Sequence, residues 1–493
     1  MLLGAFLDLL DVKGYLLLLF VFLLVFDLLK NRNPPNFPAG PWPLPFLGNV
    51  FVGFDHHAMD KVAKQYGDIF SLRRGGEKMV VVSGYKSVKE VLITQGDYFL
   101  DRPVSPLFTE AFQGYGISLS NGYRWRRQRH FAVSHLRNFG EGKRSLEFHV
   151  QQECSFLCEA FQEECGGAFN PHVLINNAAA NIIGSLVFGK RFDYDATDFQ
   201  NLLSLSAETM LLVGSPVVQL YDMFPWLVKR FRGPHETILA NYGKLAAFIK
   251  REVNKHKRDW DPFDHRDFID AYIGEIDKRK KDTEAAFNVD NLAFCTLDLF
   301  EAGTETITTT LRWALLLMMK YPDVQGQVQA EIDRVIGDSR QPCLADRVNM
   351  PLTEAVIHET QRFANLLPLT IPRLTSKDTT LCGYFIPKGT MVITNLSSVL
   401  RDKSEWETPD QFNPKHFLNE QGLFRKREAF FPFAAGKRMC LGEQLAQMEL
   451  FLFFTSLLQR FSFSPADGVE PTLEPQGTGV LSPKPFLIHL SLR

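Results

Sequence analysis

Apolar side chains recur with helical spacing through most of this chain, over Phe148–Phe161, Leu174–Phe188, Ile238–Val253, Asn288–Met319, Val324–Ile336, Leu352–Phe363 and Gly442–Gln459. Such spacing keeps one helix face apolar and predicts a helix over each of these stretches. Two shorter runs read as strands instead. Val80-Val81-Val82 lies between Gly75-Gly76 and Gly84, and Thr390-Met391-Val392-Ile393-Thr394 follows Pro387-Lys388-Gly389. Gly233-Pro234 and Asp261-Pro262 break the helical pattern. No internal repeat is present, and no linker-like stretch follows Asn49. The pattern predicts a mainly α fold with small β-sheets in one large domain, residues 50–493, although 493 residues would allow about three domains.

The N-terminal pattern is different. Gly14 to Phe26 is uncharged and almost wholly apolar, Asp27 interrupts it, and Leu28 and Leu29 resume before Lys30 and Arg32. With Leu2 to Leu10 added, and Asp8, Asp11 and Lys13 near the outer end, the run is long enough for a tilted transmembrane helix. A cleaved secretory signal is the competing reading. It lacks a basic n-region and a small-residue cleavage site before Lys30, so residues 1–30 are expected to be a retained signal anchor. Lys30 and Arg32 would keep the bulk of the chain in the cytosol. Pro34, Pro35, Pro38, Pro41, Pro43 and Pro45 then make residues 31–49 an extended, stiff tether.

Charge narrows the partners. Lys+Arg 54 against Asp+Glu 56 gives a formal net charge of -2, so no global field favours nucleic acid. Cysteine usage points to a reducing compartment, because the 7 cysteines are odd in number and scattered. Cys154 and Cys158 share a helical face, but no closely spaced histidine pair accompanies them, and buried helix positions account for them better than zinc does. There is no C-x-x-C-H for covalent haem attachment.

One cysteine stands apart. In Phe433-Ala434-Ala435-Gly436-Lys437-Arg438-Met439-Cys440-Leu441-Gly442, the apolar segment from Leu441 to Phe454 places a helix N-terminus beside Cys440, which favours the thiolate. Gly436 and Gly442 clear side chains from the approach of something large and flat. Arg438 offers a cation suited to a carboxylate. A planar cofactor with carboxylates and one thiolate ligand is haem. A lone cysteine is more often a small buried hydrophobe, so the rest of the chain has to supply the neighbours.

Three further patterns qualify. Trp125 and Arg129 fall at i and i+4 on one helical face. Leu299-Phe300-Glu301-Ala302-Gly303-Thr304-Glu305-Thr306 puts a glycine in the middle of the longest helix, with Thr306 able to bond back to the Ala302 carbonyl and locally widen the helix. Glu359 and Arg362 form an i, i+3 acid–base pair. Taken singly, each reads as an ordinary solvated helix face.

Taken together, F-x-x-G-x-R-x-C-x-G, W-x-x-x-R, A-G-x-E-T and E-x-x-R resemble the cytochrome P-450 monooxygenases at every fixed position. Pro41-Trp42, Leu44-Pro45-Phe46-Leu47-Gly48-Asn49, Leu136-Arg137-Asn138-Phe139-Gly140 and Gly442-Glu443-Gln444-Leu445-Ala446 resemble the second family of animal microsomal enzymes. Thr310-Leu311-Arg312-Trp313-Ala314-Leu315 and Arg266-Asp267-Phe268-Ile269-Asp270-Ala271-Tyr272 are most similar to its J subfamily.

The resemblance implies haem b with Cys440 as the axial ligand, the loop positions Phe433, Gly436, Arg438 and Gly442 around it, and Ala302 on the opposite face. It implies propionate donors at Arg102, Trp125, Arg129, Arg373 and Arg438, and an oxygen-side proton relay at Glu305 and Thr306. It implies a brace of Glu359 and Arg362 completed by a third basic residue, a place that His416 takes here. Glu301 is a second departure, a carboxylate where apolar or small residues are usual. Pocket walls would come from Pro103 to Gly116, Leu202 to Val218, the central helix, Leu366 to Leu369 and the turn near Gly477 to Val480, with Phe108, Phe112, Leu366 and Leu367 as substrate contacts.

Implied too are oxidation of lipophiles, with epoxidation and hydroxylation of polyunsaturated fatty acids such as arachidonate, an endoplasmic-reticulum location, and electrons from NADPH-cytochrome P-450 reductase, with cytochrome b5 as a further donor. Arg425, Lys426, Arg427 and Lys437, with Arg126, Arg127, Arg137, Lys143 and Arg144, read by default as solvated charge, and the resemblance offers the alternative of a basic docking face. Two other functions stay open on the sequence: a thiolate-haem isomerase or lyase without external electrons, and a non-catalytic haem sensor or carrier.

Overall fold

Every helix expected from periodicity is present in the computed structural model, which describes residues 12–138, 146–466, 470–477 and 479–493. Leu2 to Leu10, Phe139-Gly140, Lys143 and Arg144 lie outside the described residues. The chain is mainly helical with small β-sheets and groups into two compact units, Met1–Pro103 with Leu369–Asn395, and Val104–Pro368 with Leu396–Arg493.

The first unit is built on a four-stranded sheet in the order Ile69–Arg74, Glu77–Val82, Met391–Thr394, Arg373–Leu374. Both expected strands are central here. Val80 pairs with Val392 in parallel, while the hairpin at Gly75-Gly76 pairs Arg74 with Glu77. Phe70, Leu72, Met79, Val81, Met391 and Ile393 form one apolar cluster with Met59 from helix His56–Tyr66. Alternation along each strand puts these residues on one face.

The apolar helix Val12–Lys30 belongs to this unit, and it is long and apolar enough to cross a membrane. Asp27 is its one buried residue among those described. The proline-rich stretch does not stand off as a bare tether. It is laid along strand Ile69–Arg74, with Ser71 N–H donating to Ala39 O (2.9 Å) and Ser71 Oγ to Pro38 O (2.7 Å). A Cβ on Gly40 would lie 1.9 Å from Ser71 O, so only glycine allows that approach.

The second unit surrounds the central helix Val289–Lys320, which Asn288 caps by accepting the Asn291 N–H. It packs against helices His172–Phe188, Pro234–His256, Pro351–Ala364 and Glu443–Arg460. Gly303 sits where His172–Phe188 crosses, and a Cβ there would come within 2.4 Å of Ile183 Cδ1. The local widening expected near Thr306 is not formed, since the segment stays α-helical throughout. Cys154 and Cys158 are buried on helix Leu146–Glu163. Gly233 precedes helix Pro234–His256 as its cap, and Asp261-Pro262 turns the chain. Helices Pro106–Phe112, Thr197–Val213, Pro216–Met223 and Phe268–Lys278 were not foreseen, because they are short or their apolar faces are interrupted.

Candidate active site

The cysteine loop is a tight turn fastened to itself. Ala434 and Gly436 take positive φ (56° and 75°), a short 3-10 turn covers Gly436–Arg438, and the Cys440 N–H returns to Phe433 O at 3.0 Å. Gly442 then caps helix Glu443–Arg460. A Cβ on Gly442 would stand 4.0 Å from Cys440 Sγ, so glycine keeps the flank of the sulfur open. Burial pushes the Cys440 thiol above its ordinary value, while the Gly442 N–H and Arg129 pull it down and Glu443 pushes it up. The helix N-terminus therefore acts in the direction expected from sequence, but desolvation outweighs it.

Helix Gly122–Asn138 brings donors to this loop. Arg129 Nη2 donates to Met439 O at 2.6 Å, and burial draws its pKa down. Arg438 lies over the Trp125 ring at 3.7 Å and donates to Ser120 O (2.7 Å) and Asn121 Oδ1 (3.2 Å). The indole N–H of Trp125 is buried with no hydrogen-bond partner among the described residues. A buried donor without an acceptor is costly and marks a place where an anionic ligand group fits. A thiol with an open flank, an orphaned indole N–H and the guanidinium groups of Arg438 on the loop and Arg129 on the adjoining helix fit a haem with its propionates.

Arg102 and Arg373 belong to the other unit and lie near each other there, because the Leu374 N–H bonds Asp101 O at 2.7 Å. Arg102 Nη1 donates to Ile371 O (2.7 Å) and Pro372 O (3.0 Å), and Arg373 Nη1 to Phe99 O (3.2 Å).

Thr306 and Phe433 line one cavity with Ile307, Thr310, Gln361, Leu366 and Leu450. Thr306 Oγ1 donates to Ala302 O at 2.7 Å, the back-bond expected from the sequence. Glu305 Oε1 accepts from Thr309 at 3.1 Å, and burial pushes this carboxyl up against the opposing pull of Thr309 and Arg312. Glu301, one turn earlier, has one buried carboxyl oxygen, Oε1, with no hydrogen-bond partner among the described residues. Burial first, and Asp298 second, push its pKa to about 8.

Asp298 was missed in the sequence. Its carboxylate takes the Ile117 N–H (2.5 Å), the Ser118 N–H (3.1 Å) and Ser118 Oγ (2.8 Å), tying the loop before helix Gly122–Asn138 to the central helix. Gly116 makes room for it, since a Cβ there would meet Asp298 Oδ2 at 2.5 Å. An acidic residue inside an apolar helical run was the available signal. Phe108 and Phe112 pack with Tyr242, and Phe112 with Phe294, so these two candidates belong to an aromatic cluster. Leu366 lines the cavity, whereas Leu367 is 37% exposed. The turn near Gly477–Val480 is described except for residue 478.

Glu359, Arg362 and His416 come together within the second unit. Arg362 meets Glu359 through two hydrogen bonds of 2.7 Å, with both side chains wholly buried. Its remaining donors reach Leu400 O, Pro409 O and Gln411 O. His416 Nδ1 lies 3.1 Å from Glu359 Oε2, while its Nε2 accepts the Thr408 N–H at 3.2 Å. That pairing places the ring proton on Nδ1, donating to Glu359. Of the basic patch, Arg425 and Arg427 are paired with Glu407.

Residues 38–490 match the family model described as Cytochrome P450. The chain is 51% identical over 456 residues to Cytochrome P450 2J2 of Homo sapiens, covering 92% of this chain and 91% of that protein. It is 49% identical over 474 residues to Cytochrome P450 2J1 of Oryctolagus cuniculus, covering 96% and 94%, and 43% identical over 461 residues to Cytochrome P450 2F2 of Mus musculus, covering 92% and 94%. Proteins of this family carry haem whose iron is bound by a cysteine thiolate. The match spans the loop of Cys440, the cavity of Thr306 and the brace of Glu359, and the chain belongs to the cytochrome P450 family.

Proposed function

We propose that this monooxygenase-family protein holds haem b through Cys440 and oxidises lipophilic substrates, polyunsaturated fatty acids of the arachidonate kind and some foreign compounds among them. The single observation that carries the reading is the Cys440 loop beside the orphaned Trp125 indole N–H, with Arg438 on that loop and Arg129 of helix Gly122–Asn138 bonded to it. Trp125, Arg129 and Arg438 would hold propionates; Arg102 and Arg373 are given the same role by resemblance alone. The bound haem supplies the activation of dioxygen with electrons that originate in NADPH.

The protein's own part is to place protons and exclude water. Thr306 Oγ1 spends its proton on Ala302 O, which leaves its lone pairs facing the cavity as acceptors. Glu305, its pKa raised by burial, retains a proton closer to neutral pH than a solvated carboxyl would and is the donor assigned to replenish that site. Glu359, Arg362 and His416 are assigned the support of the cysteine loop. Residues 1–30 are proposed as a membrane anchor in the endoplasmic reticulum, 31–49 as the linker and 50–493 as the catalytic domain facing the cytosol. NADPH-cytochrome P-450 reductase and cytochrome b5 are the proposed electron donors.

The test is a reduced carbon-monoxide spectrum of the purified protein, followed by product analysis with arachidonate, reductase and NADPH. A thiolate-type Soret band with oxygenated product is expected. A protein without that band would remove the haem-thiolate reading, and a band without NADPH-coupled product would remove the monooxygenase one.

A further inference from the structure

The stretch Thr310-Leu311-Arg312-Trp313-Ala314-Leu315 carries a charge that the proposed function leaves unused. Arg312 is 5% exposed, and Leu311, Trp313, Ala314 and Leu315 around it on the central helix are buried too. Its Nη2 donates to Pro483 O at 3.2 Å, and its guanidinium stands 5.9 Å from the centre of the Phe486 ring. Its Nε is inaccessible and has no hydrogen-bond partner among the described residues. A buried cation held by one carbonyl is costly unless a counter-charge stands near.

That counter-charge is Glu305. The two residues are seven apart, so they share a helix face about 10.5 Å from each other along the axis, and the backward tilt of helical side chains turns Arg312 toward Glu305. Thr309, between them on this face, donates to Glu305 Oε1 at 3.1 Å. Burial draws the Arg312 pKa down while Glu305 holds it up; burial raises Glu305 while Thr309 and then Arg312 draw it down. No ion pair within 4.0 Å joins the two among the described residues, so their attraction acts across a gap. A gap between two polar groups is a place for a bridging water.

Arg312 also reaches the start of helix His172–Phe188. His172 there is half-buried, and burial, then Arg312, lowers it to about 4, which leaves it neutral near pH 7. Its Nδ1 is inaccessible and has no hydrogen-bond partner among the described residues, while the next residue, Val173, is 55% exposed. Arg312 therefore links Glu305, inside, to a helix end that meets solvent.

We propose that Arg312 is a positioning residue for proton delivery, holding a water against Glu305, and that the proton inlet runs from the surface at His172 past Arg312 to Glu305. The inference rests on the monooxygenase reading for the role of Glu305 and adds the route by which its proton is replaced. In one delivery Glu305 gives its proton to the Thr306 cavity; the water beside Arg312 then passes a proton to the carboxylate as it takes one from solvent. Arg312 keeps its protons throughout, because a guanidinium does not deprotonate in a protein. Its charge favours the carboxylate that exists between the two transfers.

The experiment uses the full-length holoenzyme as wild type, Arg312→Met, Arg312→Lys and His172→Trp, each checked for full haem content. Subtracting the infrared spectrum of the matching Glu305→Gln protein isolates the C=O band of the protonated Glu305 carboxyl, which is titrated with pH. Product, NADPH consumption and the solvent deuterium isotope effect on kcat are measured with arachidonate and reductase. Arg312→Met is expected to raise the midpoint of the band by about one pH unit, since a charge that favours the carboxylate is gone. The same variant should lower kcat about tenfold at unchanged KM and enlarge the isotope effect, with Arg312→Lys restoring most of each. His172→Trp fills the mouth of the inlet and should slow product several-fold at an unmoved midpoint.

An unmoved midpoint in Arg312→Met, or equal losses in Arg312→Met and Arg312→Lys, would overturn the positioning role, and an undiminished product rate in His172→Trp would overturn the inlet. A midpoint shift in a holoenzyme whose wild type forms no product with reductase and NADPH would support the coupling of Arg312 to Glu305 while counting against the monooxygenase reading.

Discussion

Arg73 Nη2 stands 3.0 Å from Asp27 Oδ2, with both side chains less than a tenth exposed. The same carboxylate accepts the Phe46 N–H at 3.2 Å and the Asn31 amide at 2.8 Å. The residue that interrupts the apolar run of Val12–Lys30 is therefore what ties that helix to strand Ile69–Arg74. Removing one partner strands a buried charge. Asp27→Leu should destabilise the full-length protein by about 3–5 kcal/mol, and Asp27→Leu with Arg73→Leu should recover most of it. Thermal unfolding in detergent across the double-mutant cycle measures this, and additive losses would show that the pair is not coupled.

Glu359 and Arg362 form a wholly buried pair. Glu359 also accepts the Asn413 N–H at 2.8 Å, so it joins helix Pro351–Ala364 to the segment that carries His416. Glu359→Gln is expected to cost about 3–5 kcal/mol, because Arg362 keeps its charge without a counter-ion. His416→Leu removes one hydrogen bond and should cost about 1–3 kcal/mol. Haem content and unfolding midpoint together check the ranking. A full haem complement in Glu359→Gln would refute the brace.

Thr306 offers a chemical test rather than a stability test. Its hydroxyl bonds Ala302 O and lines the cavity, so Thr306→Ala deletes an acceptor from the cavity wall. NADPH consumption should continue while hydrogen peroxide rises at the expense of product. Thr306→Ser keeps the hydroxyl and should keep most of the coupling. The ratio of product to NADPH decides it, and an unchanged ratio in Thr306→Ala would exclude the relay.

The parts of this fold that sequence made legible are those where one local pattern has one structural outcome. The period of Asn288–Met319 became helix Val289–Lys320, and Val80 to Val82 became a central strand, because each pattern buries its apolar face in a single way. Gly303 was visible as an anomaly but not as a crossing point, since Ile183, the side chain that demands it, is remote in sequence. Asp298 and Tyr242 escaped for the same reason. Their roles depend on a loop and a helix brought to the central helix by tertiary packing. Asp27 was read as an interruption of a membrane span, and only the position of Arg73 shows it as an attachment.

Glu301 makes stability depend on pH in a direction that can be worked out. Its ordinary value is 4.5 and its folded value about 8, raised by burial and then by Asp298. Folding therefore holds a proton that the unfolded chain has lost between those pH values, and stability falls as pH rises through that window. The stabilising proton is fully present below about pH 4.5 and gone above about pH 8, with a slope of up to about 1.4 kcal/mol per pH unit from this group. Glu305 is raised too but remains in Glu301→Gln, while the coupling between Asp298 and Glu301 is part of the difference measured. Glu301→Gln should match wild type near pH 5 and exceed it near pH 8 in unfolding midpoint. Parallel curves for the two proteins would mean that the Glu301 carboxyl titrates as it does in water, and its burial beside Asp298 would then have no energetic consequence.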